Sequence, residues 1–333
     1  MRDDIYSIDR HAAAVSPYSY SSDNGATFDP LVIGPPTMDS VTVSQDGEFA
    51  YYLGYSGSMW FIKRFNAGID APGFNPVIPY FSMNDYAAVL NSGFTGEAVV
   101  PHLLVTVNNF TVSRDILTID KTTAAVNLVY SATYAPGVLP RFVYMGGGRV
   151  LLFYGTLVYS SLDNGLTWTA STPTGLNTFQ DAVYFRNGVV LACGINVSLP
   201  ATQIVRSTDY GQTWGPAVVS LPGFRIMRLT KTVNGLLFYA ENNDPSVGMS
   251  ANGGVNWSTV ESGTLYEGIL GVYTADTLVA AAINNPISDR NTTAGVPPWT
   301  PTGGTAPFGA YDYAIRPYNP DVTPVPDHFI WHY

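Results

Sequence analysis

Charged residues make up only 12% of this 333-residue chain, so charges that recur at equivalent places stand out. Asp39, Asp85, Arg141, Asp181, Arg225, Glu267 and Asp312 each sit where an apolar run begins, one per run. If those runs are strands gathered side by side, the seven charges ring one opening. Two carboxyls about 5–10 Å apart across a scissile bond could hydrolyse a glycoside. The same ring could bind a sugar, a cation or a partner's side chain without chemistry, or simply line a solvated mouth. No catalytic residue can be assigned from it.

Other chemistry is absent from the sequence. His328 and His332 lie four apart on a predicted strand, too far for one metal ion, and His11 and His102 stand alone. No metal and no cofactor is expected. There is no Gly-x-Ser-x-Gly elbow and no phosphate loop. Cys193, the single cysteine, lies in Val189-Val190-Leu191-Ala192-Cys193 and reads as a buried structural thiol. The net charge of −10, with only three lysines, argues against nucleic acid or an anionic membrane as partner. No apolar run approaches the ~18 residues of a spanning helix, and Met1–Ile5 lacks a leader's basic-then-apolar layout.

The elements that must position the charged ring are spelled by a repeat. Ser161-Leu162-Asp163-Asn164-Gly165-Leu166-Thr167-Trp168 matches Ser21-Ser22-Asp23-Asn24-Gly25-Ala26-Thr27-Phe28 and Ser207-Thr208-Asp209-Tyr210-Gly211-Gln212-Thr213-Trp214. A worn copy follows at Ser250-Ala251-Asn252-Gly253-Gly254-Val255-Asn256-Trp257. The Asp can accept backbone N–H bonds and brace a turn, and the Gly supplies positive φ. The closing Trp or Phe is best buried against the neighbouring unit. Each block therefore reads as the turn of a hairpin.

These blocks resemble the Asp-boxes of sialidase-like β-propellers. That resemblance implies boxes on the outer rim, between the third and fourth strands of a blade and away from any active site. A sialidase also uses an arginine cluster and a Tyr–Glu pair. Arg2 and Arg10 precede the first block, neither followed by Ile-Pro, and Phe224-Arg225-Ile226 is followed by Met227 rather than Pro.

A four-strand phrase recurs between the blocks. Gly165, Gly211, Gly254 and Gly295 stand 46, 43 and 41 apart, a period that marks a propeller. Asn187-Gly188 and Asn234-Gly235 read as hairpin turns between first and second strands. In the first phrase the fourth strand is expected at Val77–Tyr80. The prediction is an all-β chain forming one seven-bladed propeller over residues 18–333, with six blades as the alternative. Its last blade would combine two C-terminal strands, Ala310–Ile315 and Phe329–Tyr333, with two N-terminal ones. Residues 1–17 read as a polar arm available for docking.

The composition is neutral-polar, lysine-poor and rich in Tyr, Asn, Thr and Gly. It suggests a non-enzymatic part of an assembled particle, such as a bacteriophage tail or fibre-associated component that docks on virion proteins or touches a host glycan. A virion-borne or extracellular glycoside hydrolase is the other reading.

Overall fold

The computed structural model describes strand segments along most of the chain. Within 102–259 it describes nearly all backbone and most side chains, and outside that stretch the side chains of Ile62 and Arg64 alone. Among the described residues every element is a strand. They form five four-stranded antiparallel sheets, two five-stranded ones and a two-stranded ribbon.

Three sheets are described in full. Arg141–Gly146, Arg149–Tyr154, Leu157–Ser161 and Thr169–Ser171 make one; Thr178–Arg186, Val189–Asn196, Ala201–Ser207 and Ala217–Pro222 make the next. Met227–Lys231, Leu237–Glu241, Ser246–Ser250 and Ser258–Ser262 make the third. Each is a meander of neighbouring strands. Burial falls outward: Arg149–Tyr154 and Val189–Asn196 are almost wholly buried, whereas Thr169–Ser171 is exposed. The first strand of each sheet adjoins that of the next. The same holds onward through Tyr266–Val272, Asp312–Tyr318, Thr37–Val43 and Leu90–Asn91, which adjoins Arg141–Gly146.

The sheets are held face to face by apolar layers. Phe153 is fully buried and meets Phe179 at 5.0 Å and Trp214 at 5.7 Å, both edge-on and both from the next sheet. Trp168 joins a cluster with Leu104 and Ile116 of the preceding sheet. Burial of aromatic area on this scale is what couples one sheet to another.

The repeated blocks are the turns between third and fourth strands. In Ser161–Trp168 the Asp163 carboxylate accepts from the backbone N–H of Leu166 (3.0 Å) and Thr167 (2.8 Å) and from the hydroxyls of Thr167 and Ser161. Ser161 Oγ accepts from Gly165 N at 2.8 Å, and Trp168 Nε1 donates to Gly165 O at 2.8 Å. Asp209 and Ser207 repeat the set, with Trp214 Nε1 donating to Gly211 O. In the worn copy Asn252 Oδ1 accepts from Asn256 N at 2.9 Å, and Trp257 still closes on Gly254 O.

The glycine is required twice over. Gly165, Gly211 and Gly254 have φ of +85°, +83° and +81°. A Cβ there would lie 2.3–2.6 Å from Leu104, Leu151 and Leu191 respectively, each in the second strand of the preceding sheet. Each turn is thus pressed onto its neighbour at one repeated contact.

These turns set an acid limit. Desolvation pushes Asp163 and Asp209 up, but the donors from the Thr, Ser and backbone N–H groups outweigh it and hold both below the usual carboxylate range. A depressed folded value means the stabilisation is complete above the unfolded value near pH ~4 and is lost as pH falls through the folded one. Melting temperature is expected to fall below roughly pH 4, and less steeply in an Asp163→Asn/Asp209→Asn variant. An unchanged slope in that variant would contradict the bonding described.

Two predictions from sequence need correction. Arg2–Ile8, expected within a polar arm, is a strand paired on both sides, with Tyr18–Ser21 and with Asp312–Tyr318. Its register runs from Arg2 opposite Tyr318 to Ile8 opposite Asp312, with Ile5 facing Ile315. The mixed sheet therefore has the order Gly303–Gly304, Thr27–Pro30, Tyr18–Ser21, Arg2–Ile8, Asp312–Tyr318, with three N-terminal strands rather than two. The Phe329–Tyr333 run lies outside the described residues. In the sheet begun by Thr37–Val43, Val77–Ile78 pairs with the third strand, Met59–Asn66, as expected of a fourth strand, and Ile69–Asp70 also pairs with that strand at its other end.

Candidate functional site

The charged positions are set by the first strands. Arg141 opens Arg141–Gly146, and Arg225 precedes Met227–Lys231 by two residues. Asp181 does not open its strand. It is the fourth residue of Thr178–Arg186, just past a register shift that leaves Gln180 as an extra residue. Bulges re-aim side chains in this way, and here Gln180 and Asp181 both reach the neighbouring sheet.

Gln180 works as a short piece of ladder. Its Nε2 donates to Arg225 O at 2.6 Å, and its Oε1 accepts from Met227 N at 2.9 Å. Asp181 continues the seam: Oδ2 accepts from Leu229 N at 2.9 Å and Oδ1 from Ala182 N at 2.9 Å. Two adjacent first strands are thus joined by side chains where their own backbones do not pair.

Cations close over the seam. Arg141 Nε stands 3.7 Å from Asp181 Oδ1 and donates to Gln180 O at 3.4 Å, and Arg228 Nη1 donates to the same carbonyl at 3.3 Å. Arg225 Nη1 pairs with Glu241 Oε1 at 2.6 Å, and the Glu241 side chain is fully buried. Arg225 Nε also donates to Pro222 O, and its N–H to Thr202 Oγ1. Arg141, Arg225 and Arg228 therefore gather around Gln180 and Asp181. Asp181 is thus committed to holding two sheets together, and Glu241 to a buried ion pair at the start of its own sheet.

The structure brings together Arg141, Asp181 and Arg225, and it adds Gln180, Arg228 and Glu241, which the sequence did not flag. Glu241 has a legible signal, since it is one of five glutamates and it ends the apolar run Leu237–Ala240. Gln180 and Arg228 carry none. Asp39, Glu267 and Asp312 fall within Thr37–Val43, Tyr266–Val272 and Asp312–Tyr318, where the strand placement alone is described. Asp85 lies outside the described residues, as do Asp23 and Gly25 of the first block, while Ser21 ends Tyr18–Ser21 and Phe28 lies in Thr27–Pro30.

Cys193 is buried, and its Sγ meets Met227 O at 3.5 Å. Desolvation first, then the Asp181 charge, pushes its thiol well above the ordinary range. That is an inert thiol at neutral pH. Among the described residues no group of three His, Cys, Asp or Glu side chains could hold a metal ion, and no helix is long and apolar enough to cross a membrane.

No protein-family model and no curated protein matches the chain. Solved structures do resemble it across nearly its whole length. A periplasmic gluconolactonase of Pseudomonas aeruginosa aligns with TM-score 0.63 and 10% identity, over 95% of this chain and 99% of that one. A protein from Lactobacillus plantarum aligns with TM-score 0.66 and 11% identity, over 95% and 99%. YCF48, solved with a bound D1 peptide, aligns with TM-score 0.54 and 14% identity, over 80% and 82%. At such identities the likeness is one of fold, and the fold is that of a β-propeller.

Proposed function

We propose that the chain is a seven-bladed propeller serving as a binding module, with its ligand face at the end where the first strands begin. The observation that carries this is the commitment of both carboxylates, Asp181 to the backbone of the next sheet and Glu241 to a buried ion pair with Arg225. A glycosidase needs one carboxyl to give up a proton and another to act at the sugar. A carboxylate fastened by two backbone N–H groups, as Asp181 is, is suited to neither role.

The blade count rests on seven first strands, each beside the next, with Asp312–Tyr318 beside Thr37–Val43. Arg2–Ile8, Tyr18–Ser21 and Thr27–Pro30 would complete the seventh blade and remove open edges. The Ser161, Ser207 and Ser250 turns we read as Asp-boxes. The three permanent positive charges of the arginines about Gln180 would favour a polar or anionic group of a glycan or of a partner protein at this end. A virion or other assembled particle remains the proposed setting on composition alone. With Arg2–Ile8 paired on both sides, any docking by the N-terminal segment falls to residues 9–17, which lie outside the described residues.

The test is saturation-transfer NMR with a panel of oligosaccharides, acidic peptides and sugar lactones, watching for new anomeric or ring-opened signals. Transfer without turnover is expected. Cleavage of any of these would replace this reading with a hydrolase, the activity for which the Pseudomonas aeruginosa neighbour is named. In parallel, Asp181→Ala should cost about 2–3 kcal/mol of stability, because two N–H groups and a guanidinium lose their acceptor. Asp181→Asn should cost less, since an amide oxygen still accepts. Wild-type stability in Asp181→Ala would remove the structural role.

A further inference from the structure

The opposite end of the same three sheets carries a second feature, independent of the mouth. Four basic side chains meet there although none is close in sequence to all the others. Arg149 begins a second strand, Arg186 and Lys231 end first strands, and Arg206 stands one residue before the Ser207 turn. Hairpin turns deliver all four to the end opposite Arg141 and Arg225.

Aromatic rings tie them into one surface. Arg149 lies over the Tyr210 ring at 4.5 Å, Tyr210 stacks on Tyr184 at 6.3 Å, and Lys231 Nζ caps Tyr184 at 5.7 Å. Arg186 lies over Phe185 at 4.7 Å. Lys231 Nζ donates to Phe185 O, and Arg206 Nε donates to Gly253 O, whose residue packs beside that same Phe185 ring. Burial pushes the Lys231 ammonium down to about 7, so at neutral pH the three guanidiniums carry most of the charge. They are spread along this platform rather than turned toward one point.

Among the described residues none of the four has a carboxylate within ion-pair distance. Asp163 and Asp209, the acids of the adjacent turns, stay ionised but are turned onto the N–H and hydroxyl groups of their own turns rather than onto these cations. In a chain of net charge −10 with 15 Lys and Arg in all, four of them gathered at one end without a direct ion pair stand out.

Apolar side chains flank the cations at the same end. Leu162 and Leu166, in the turn on one side, are 71% and 50% exposed, and Val255, in the turn on the other, is 51% exposed. Between them the Ser207 turn presents Thr208 and Gln212. Solvent-facing leucines at variable positions of a turn are not needed to form it.

We propose that this end is a docking surface for an acidic protein segment that also carries apolar side chains. Charge complementarity selects the acid, and the flanking Leu162, Leu166 and Val255 select protein over a polysaccharide or nucleic acid, which has no aliphatic side chains to offer. Cations spread over the platform match carboxylates arrayed along a helix or strand better than one compact anion.

The probe is a synthetic amphipathic peptide of glutamate and leucine, titrated against the whole chain by calorimetry. Poly-glutamate, polygalacturonate and a single-stranded oligonucleotide serve as comparisons. The peptide is expected to bind better than all three, to weaken as salt is raised, and to weaken at least tenfold in Arg149→Glu/Arg186→Glu and, separately, in Leu162→Ser/Leu166→Ser. Arg186→Glu alone, at an exposed position, should weaken binding with melting temperature unchanged, which guards against misfolding of the Arg149 variant. Absence of peptide binding, indifference to both pairs of substitutions, or equal or tighter binding of polygalacturonate or oligonucleotide would each overturn the proposal.

Discussion

Gly194→Ala is expected to destabilise the fold by at least about 3 kcal/mol. Gly194 lies in Val189–Asn196, opposite Phe179 on one side and Gln203 on the other. A Cβ there would stand 2.0 Å from the carbonyl oxygen of Thr178, 3.0 Å from its carbonyl carbon and 3.2 Å from Phe179 Cα. All three are backbone atoms of the paired strand, so no side chain can swing aside. The two strands would have to part next to the bulge at Gln180, which would also pull Gln180 and Asp181 off the neighbouring sheet. Overpacking against yielding atoms costs about 1–3 kcal/mol, and against fixed backbone we expect at least the upper end of that range. Gly223→Ala is the control: its φ is +84° but nothing lies within 4 Å, so only backbone strain of about 1–2 kcal/mol is expected. Urea unfolding of the two variants decides the matter. Equal destabilisation would mean that Thr178 O is not packed against Gly194.

The turns were legible because their physics is local. A Ser, an Asp, a Gly and an aromatic within eight residues specify bonds that all fall inside the block, so spelling and structure agree at Asp163 and Asp209. The strand at Arg2–Ile8 was illegible for the opposite reason. Its partner Asp312–Tyr318 is about three hundred residues away, and no periodicity within the segment announces it. The mouth falls between. Charge scarcity pointed to Arg141, Asp181 and Arg225, and two of these do meet as Arg141 and Asp181. Their purpose was not legible, because it depends on Gln180, an uncharged residue whose role exists only through a bulge. Arg149, Arg186, Arg206 and Lys231 gave no signal at all, since turns rather than sequence proximity assemble them.

Phe153→Ala should destabilise the fold nearly as much as Gly194→Ala, by the reverse fault. Phe153 has no exposed surface, and the two rings it meets, Phe179 and Trp214, belong to the next sheet. Removing it opens a cavity between sheets rather than within one. Phe→Ala in a core costs about 3–5 kcal/mol, and each edge-on aromatic pair accounts for about 0.5–1.5 kcal/mol of that. Phe153→Leu should recover more than half, because apolar volume returns while ring geometry does not. A double-mutant cycle with Trp214→Ala isolates the interaction between sheets. Trp214 Nε1 is anchored to Gly211 O within its own turn, so the ring is held in place whether or not Phe153 is present. A coupling energy of about 0.5–1.5 kcal/mol is expected. A coupling near zero would mean that the Trp214 ring is fastened only to its own turn. The repeated block would then join one sheet to the next only through the packing of Gly211 against Leu151, and the cohesion of these sheets would rest on the remainder of their shared apolar layer, Phe153 on Phe179 included.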